Sequence, residues 1–424
     1  MQAGSYESPN RKAYIIQMGR KLRVAIDCGI IFTQQGMGTA VLSLAKALSE
    51  STVVDQEYTF IVSEEMQSWL SPYVYGPCQL KGIPRSTMGS VKAALRRVTP
   101  LRTIWRKLRG GVGHIPVSSG YVESQQFDVV HFPTTVAYMT KLPSIYQPHD
   151  LQHLHYPQFF PEHYVALRER ETHSFCDRAA YVCVQTEWTK QDVIGHYGLA
   201  PEKVVVIPWG SVLDSYKVPS PEEIQIAIEK FDLPRQFFFY PAATWAHKNH
   251  ETIFRALSIL KSRHSIAPHV FFTGSSTDRR RFLDKLAHGL GISEQLHFLG
   301  FVNTEELQAV FKTATAMIFP SKFEGFGLPI LEAFHAGLPV LSSNATVLPE
   351  VAQDGALYFD PDSPEELSTL MKVILDSPEL RKELISKGAL VLSQYSFRDT
   401  AAKFQALYER TAGLSLHSRF DALT

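Results

Sequence analysis

The stretch Ile318–Val340 (IFPSKFEGFGLPILEAFHAGLPV) constrains the fold more than any other part of the chain. An apolar run ends in a loop with two glycines, a helix is expected over Leu328–His335, and a second apolar run follows. Pro329 suits the first turn of that helix, where its missing N–H would have had no partner. This succession of strand, helix and strand is typical of a parallel α/β sheet.

The glycine loop predicts a phosphate-binding turn. The backbone N–H groups that begin a helix, here those of Phe326, Gly327 and Leu328, have no acceptor within the helix, and the helix dipole adds positive charge there. Glu324 and Glu332 bracket this point, and their carboxylates are suited to accept hydrogen bonds from sugar hydroxyls. Many α/β proteins carry such a junction and bind nothing, in which case both glutamates are ordinary solvated residues.

The segment Phe319–Pro361 resembles the donor-binding signature of glycosyltransferase family 4, the retaining enzymes of the GT-B fold. The resemblance extends over most of residues 22–410. In that family, two glutamates with seven residues between them contact the donor sugar and the nucleoside ribose. The resemblance implies these roles for Glu324 and Glu332, respectively.

Length and composition predict a globular protein of at least two domains. The chain has 424 residues, 45% of them hydrophobic and 20% charged, with 42 basic and 42 acidic side chains. We find no apolar run of the roughly 18 residues that a membrane-spanning helix needs. The four cysteines lack the spacing of a disulfide framework or a zinc site. We therefore expect a reduced, cytoplasmic protein with no nucleic-acid partner.

Alternating strands and helices predict an α/β protein with two doubly wound Rossmann-like domains, and the resemblance implies that they face a central cleft. We expect a flexible leader (1–20), an acceptor-side domain (21–210), a linker (211–235), a nucleotide-sugar-binding domain (236–395) and a C-terminal helix that crosses back to the first domain (396–424).

A second glycine loop, containing Gly36 and Gly38, is expected to lead into a helix that starts at Ala40. It is either a plain tight turn or a point where the backbone approaches a ligand closely. The resemblance implies that it lies beside the donor phosphates and the acceptor.

His149 ends a predicted strand, Ser144–Asp150, at the sheet edge where ligands bind in doubly wound folds. A structural role is the alternative. The resemblance implies that His149 contacts the transferred sugar. His153 and His155 follow, but no set of spaced carboxylates accompanies them, and we predict no metal site.

A basic stretch without acidic residues runs from Met66 to Ser119. Its cations alternate with apolar residues at roughly helical spacing, which favours an interfacial segment attracted to anionic lipid. A solvated helix face and a polyanion-binding patch are the alternatives. The cations expected at the cytoplasmic face of the membrane are Lys92, Arg96, Arg97, Arg102, Arg106, Lys107 and Arg109.

The second half contains the predicted phosphate-binding lysine, Lys248, at a loop-to-helix entry. A surface lysine is the alternative, but the resemblance implies that Lys248 binds the donor phosphates. The arginine that many members carry six residues earlier is Ala242 here, so His247 or another residue is left to share the charge.

The resemblance also places Val302 beside the nucleotide base. Asp360-Pro361-Asp362 has a metal-binding pattern, but a turn followed by a helix cap is favoured.

The resemblance implies a retaining, metal-independent hexosyltransferase. Its donor would be a nucleotide-diphosphate sugar such as GDP-mannose or a UDP-hexose, with no other cofactor, and its acceptor a glycan or lipid-linked glycan of surface polysaccharide synthesis. Three alternatives are a sugar-phosphate synthase of the same fold, a non-catalytic nucleotide-sugar-binding protein and a dehydrogenase. The dehydrogenase would need a third glycine where Val41 stands.

Overall fold

The computed structural model describes residues 20–29, 36–83, 115–212 and 218–413. Most of the predicted leader, the basic residues from Lys92 to Arg109 and the end of the chain from residue 414 lie outside these ranges. The chain divides into two compact units. The first runs to Val184 and includes Lys190–Ile207 and the chain from Phe397, and the second comprises Gln185–Thr189 and Pro208–Ser396.

The first unit is a parallel sheet of seven strands in the order β3-β2-β1-β4-β5-β6-β7. Its strands are β1 (Leu22–Gly29), β2 (Gln56–Ser63), β3 (Cys78–Ile83), β4 (Val129–Phe132), β5 (Ser144–Tyr146), β6 (Tyr181–Val184) and β7 (Val204–Val206). The helices in this part of the chain are α1 (Gly36–Ser49), α2 (Gln67–Leu70), α3 (Tyr121–Ser124), α4 (Gln152–His155), α5 (Glu162–Arg178) and α6 (Glu187–Tyr197).

Two strands of this sheet differ from the sequence prediction. The predicted strand Ser144–Asp150 is wrong beyond Tyr146, because Pro148 has no N–H to donate and His149 adopts a positive φ of 64°. The edge strand β3 was not predicted, since its sequence, CQLKGI, has no apolar run, and Cys78 is the only buried residue of the strand.

The second unit repeats this architecture with six parallel strands in the order β10-β9-β8-β11-β12-β13. The strands are β8 (Phe237–Pro241), β9 (His269–Thr273), β10 (Leu296–Gly300), β11 (Ala316–Phe319), β12 (Val340–Ser343) and β13 (Ala356–Phe359). The helices are α7 (Pro221–Phe231), α8 (His250–His264), α9 (Arg280–Gly289), α10 (Thr304–Thr313), α11 (Leu328–His335), α12 (Leu348–Ala352), α13 (Pro364–Asp376) and α14 (Pro378–Leu392).

The predicted linker contains α7, which is part of the second unit. A capping box between Ser220 and Glu223 starts this helix. At its other end, the Lys230 Nζ lies 2.6 Å from the Glu306 Oε1 of α10. The helix is therefore packed into the unit and does not run as an extended connection.

The last described helix, α15 (Phe397–Thr411), packs on the first unit. The Gln405 side-chain amide donates to the Tyr58 hydroxyl at 2.8 Å, and the Tyr408 hydroxyl lies 2.9 Å from the His131 Nδ1. Burial lowers the pKa of His131 to about 3, so this imidazole is neutral. Buried polar pairs thus fix α15 against the first sheet.

Both sheets are doubly wound, because each reverses its strand order once, between β1 and β4 and between β8 and β11. Ligands of such sheets bind beyond the carboxyl ends of the strands at the reversal. No helix formed by the described residues is long and apolar enough to cross a membrane.

Candidate active site

The reversal point of the second sheet brings together two of the predicted site residues. Lys248 follows β8 and Glu324 follows β11, so both lie beyond the carboxyl ends of neighbouring strands. The Lys248 Nζ is 2.5 Å from the Glu324 Oε1, and the two side chains are only 20% and 13% exposed. The order of the strands therefore converts a sequence separation of 76 residues into a direct ion pair.

Lys248 is held by a turn whose polar groups are buried. Asn249 ends this turn with a left-handed φ of 55°, a conformation that asparagine tolerates better than most residues. Its side-chain amide donates to the carbonyls of Pro320 at 3.0 Å and Pro361 at 2.7 Å. The Tyr240 hydroxyl donates to the Lys248 carbonyl at 2.8 Å. No role was predicted for Asn249, and the structure shows that it positions the lysine.

The loop that carries Glu324 is fixed in two places. The Lys322 N–H donates to the His247 carbonyl at 2.8 Å, which joins this loop to the lysine turn. The Glu324 N–H lies 3.3 Å from the Thr346 hydroxyl, and Thr346 has a φ of 49°. A β-branched residue is strained at a positive φ and keeps it only where its surroundings impose it. No sequence signal pointed to Thr346.

The N-terminus of α11 adjoins this loop, and α11 has the predicted bounds. Its N-cap, Gly327, has a φ of 104°, and a Cβ added there would lie 3.0 Å from the Leu348 Cδ2, so only glycine fits without strain. Within the described part of the chain, the N–H groups of Phe326, Gly327 and Leu328 have no hydrogen-bond acceptor. These unsatisfied donors can receive an anion, as predicted for this turn.

The side chain of Phe326 is part of the core. It is 5% exposed and packs edge-on against the rings of Trp209 and Tyr395, with centroids 5.9 and 6.0 Å away. Only the backbone of Phe326 is therefore available to a ligand.

Glu332, on α11, is half-buried, so the alternative of an ordinary exposed helix residue is wrong. Among the described residues, no hydrogen bond or ion pair involves its carboxylate. Loss of hydration on burial raises its pKa to about 7. A ligand hydroxyl that donates a hydrogen bond to this carboxylate would stabilise its charged form.

Glu332→Gln is expected to stabilise the protein above pH 7 and to have little effect near pH 4.5. Between the usual glutamate pKa of 4.5 and about pH 7, the folded protein retains a proton that the unfolded chain has released. The free energy of unfolding therefore falls as the pH rises through this window, by about 1–3 kcal/mol in total. Urea unfolding midpoints at pH 5 and pH 8 measure the difference.

The matched control for this prediction is Glu306→Gln. A hydrogen bond from Lys230 lowers the pKa of Glu306, so its charged form is favoured in the folded protein. Its substitution should therefore lower stability at pH 8, the opposite sign. Equal gains for Glu332→Gln at both pH values, or a loss at pH 8, would contradict the assignment.

Three basic residues, Lys248, Arg279 and His247, lie near the imidazole of His250 at the start of α8. The pKa of His250 is lowered to about 3, chiefly by burial and in smaller part by these basic neighbours. Arg279 also pairs with Glu251. Arg279 is thus a basic residue near the lysine turn. It lies in the same unit as Ala242, the position where many family members carry an arginine. Its distance in sequence from Lys248 kept it out of the prediction.

The remaining predicted site residues are found in both units. In the first unit, Gly36 and Gly38 lie in the first turn of α1, so the expected loop before a helix at Ala40 is wrong and the helix begins four residues earlier. His149 is 7% exposed, and its Nε2 donates to the Pro133 carbonyl at 3.0 Å. In the second unit, Val302 is 9% exposed and follows β10.

The turn at Asp360–Asp362 is confirmed as a turn followed by a helix cap. The Asp362 N–H donates to the Asp360 carboxylate at 2.8 Å, and the Ser363 hydroxyl accepts from the Glu366 N–H at 3.2 Å. The Asp360 carboxylate thus closes the turn and Ser363 caps α13, while the Asp362 carboxylate pairs with Lys322.

Comparison with known proteins identifies the family. The family described as Glycosyl transferases group 1 matches residues 221–391, and Glycosyltransferase Family 4 matches residues 35–214. The two matches together span most of the chain.

Two curated relatives are mannosyltransferases from Escherichia coli. O-antigen chain mannosyltransferase B is 26% identical over 252 residues, which are 59% of this chain and 66% of the relative. Serotype-specific mannosyltransferase WbdA is 30% identical over 229 residues, which are 53% of this chain and 28% of the relative. The matches thus span less than two thirds of either relative.

The fold is shared with Anabaena HepE, whose crystal structure was solved in complex with UDP and glucose. The TM-score is 0.68 at 15% sequence identity, with 92% of this chain and 100% of the HepE chain covered. This likeness and the two doubly wound sheets confirm the predicted GT-B fold class. With both family matches in place, the chain belongs to the group 1 glycosyltransferases, in glycosyltransferase family 4.

Proposed function

We propose that this protein transfers a mannose- or glucose-type hexose from a nucleotide-diphosphate sugar to a glycan or lipid-linked acceptor in surface polysaccharide synthesis. The observation that carries the proposal is the Lys248–Glu324 ion pair, which lies at the reversal point of the second sheet. The unsatisfied N–H groups of α11 follow directly in the chain. A cation and free amide groups suit the diphosphate of a sugar nucleotide, and a carboxylate suits the hydroxyl groups of its sugar.

The diphosphate is proposed to bind between Lys248 and the N–H groups of Gly327 and Leu328. Negative charge grows on the leaving phosphate as the glycosidic bond breaks, and fixed positive groups stabilise that charge most when water is excluded. Arg279 is proposed to supply the second cation. These residues neutralise the leaving group in a route that we propose to be independent of metal ions.

The ion pair itself is proposed to rearrange when the donor binds. Without donor, Lys248 and Glu324 neutralise each other at 2.5 Å. A diphosphate offers the ammonium a stronger partner, and the sugar hydroxyls then offer donors to the released carboxylate. Glu324 would thus become available to the sugar only when Lys248 engages the phosphate.

Retention is proposed to follow from reaction on one face of the sugar. The bond from the anomeric carbon to the phosphate oxygen breaks, and the bond to the acceptor oxygen forms on the same face. The acceptor proton passes to the departing phosphate oxygen. His149 is proposed to contact the transferred sugar, Glu332 the ribose, Val302 the base, and Gly36 and Gly38 the phosphate and acceptor.

Mannose is the favoured sugar because the E. coli relatives are named mannosyltransferases. GDP-mannose is accordingly the first donor to test, followed by UDP-hexoses. A lipid-linked acceptor suits a protein at the cytoplasmic face of a membrane. We propose that the basic residues between Lys92 and Arg109 contact the anionic lipid of this membrane face.

Turnover of a panel of GDP-, UDP- and ADP-sugars, with and without glycan acceptors, tests the function. Release of a nucleoside diphosphate from one donor, increased by a glycan, supports the proposal. Transfer only to a sugar phosphate would favour the synthase of the same fold. Tight donor binding without turnover under any acceptor condition would favour a non-catalytic binding protein.

A further inference from the structure

A cluster of metal-ligating side chains lies in the first unit. His155 ends α4, while Asp192 and His196 stand one turn apart on α6. The His155 Nε2 is 2.7 Å from the Asp192 Oδ1, and the His196 Nδ1 is 3.2 Å from the same oxygen. One ligand atom from each residue lies within 4.8 Å of the other two.

The burial of these side chains suits a metal that enters from solvent. The imidazoles of His155 and His196 are 30% and 40% exposed, whereas the Asp192 side chain is 7% exposed. The second carboxylate oxygen, Asp192 Oδ2, is buried and has no hydrogen-bond partner within the described residues. Two partly exposed imidazoles thus flank a largely buried carboxylate, and the His196 Nδ1 also lies 2.9 Å from the Asp192 backbone carbonyl, a contact that metal binding at this nitrogen would replace.

We propose that His155, Asp192 and His196 bind a divalent transition metal, with Zn²⁺ as the best fit. Imidazole and carboxylate ligands bind Zn²⁺ at about 2.0–2.2 Å, which in a tetrahedral site separates the ligand atoms by about 3.3 Å. The His196 Nδ1–Asp192 Oδ1 separation of 3.2 Å is close to that value, whereas the His155 Nε2–Asp192 Oδ1 separation of 2.7 Å would have to widen by about 0.6 Å on binding. Water takes the fourth position, as expected for a site with three protein ligands.

The site joins two helices that the sequence alone does not bring together. His153 does not take part, because its Nε2 lies 3.3 Å from the Glu169 carboxylate instead. The carboxylate that the histidine pair lacked in the sequence analysis is Asp192, which lies 37 residues after His155. A bound metal would therefore fasten α4, which begins three residues after His149, to α6.

Proton release distinguishes metal binding from a simple cluster of hydrogen bonds. Each ring nitrogen that now faces Asp192 must be deprotonated before it can bind Zn²⁺, so binding competes with protons. The affinity for Zn²⁺ should therefore fall as the pH is lowered.

Calorimetric titration of the chelator-treated full chain with ZnCl2 tests the proposal. We expect one site per chain, a rise in melting temperature with Zn²⁺ and a Co²⁺ visible spectrum typical of a tetrahedral site. His155→Gln, Asp192→Asn and His196→Gln should each weaken Zn²⁺ binding at least tenfold, since even indirect supports of a metal site cost about 10–100-fold.

His264→Gln, at an exposed histidine that ends α8, is the control and should bind Zn²⁺ like the unaltered chain. Circular dichroism of each variant checks that α6 remains folded, and His155→Gln leaves that helix unaltered in sequence. Absence of saturable Zn²⁺ binding would overturn the proposal. So would equal affinity in the three ligand variants and the control.

Discussion

Replacing Glu324 by glutamine is expected to reduce turnover by about 10²–10³-fold, the loss seen when one charge-bearing contact to a transition state is removed. Glutamine has nearly the same shape and still offers an oxygen to Lys248. It lacks the charge that makes hydrogen bonds from sugar hydroxyls roughly twice as strong. The loss should appear in kcat more than in KM, because the contact strengthens as the sugar becomes electron-poor.

The control for this variant is Glu383→Gln. Glu383 also pairs with a lysine, Lys387, at 2.7 Å in the same unit, but on the exposed surface of α14. Its loss should leave turnover unchanged, as exposed pairs contribute little. Turnover is measured over a range of donor concentrations, which yields both kcat and KM, with circular dichroism as the check on folding. A folded Glu324→Gln variant with near-normal turnover would remove Glu324 from the catalytic site.

The sequence was most informative where local rules and tertiary structure agree. The bounds of α11 were predicted correctly because proline fits its first turn and a glycine precedes it. The start of α10 follows the same kind of local rule, because Asn303 and Glu306 form a capping box there. In both cases the signal lies within a few residues of the element it determines.

Features that depend on distant residues were not predicted. No residue close to Thr346 in sequence indicates its positive φ. In the structure, Thr346 contacts the distant Glu324 N–H. His155 and Asp192 meet only because α4 and α6 pack together in the first unit. The segment β3 is extended because it pairs with β2 at the edge of the sheet, and not because its sequence is apolar. Such features follow from the folded arrangement of several elements.

Lys248 differs from these cases, since a family motif identified it and the sheet then placed it against Glu324. Lys248→Ala is expected to reduce turnover by at least 10²–10³-fold, because it removes a full charge from the leaving diphosphate. The donor affinity should also fall, since the diphosphate carries its charge before the reaction. Lys372→Ala, which breaks an exposed pair with Asp376 on α13, is the control and should remain active.

Combining Lys248→Ala with Glu324→Gln shows whether the two residues act as one unit. If donor binding separates the pair and both residues then act on the same transition state, the losses should not add, and the double variant should be little slower than Lys248→Ala alone. Strict additivity would mean that the two side chains act independently and that the ion pair of the empty protein has no part in the reaction. Full activity of folded Lys248→Ala would reject the diphosphate site itself.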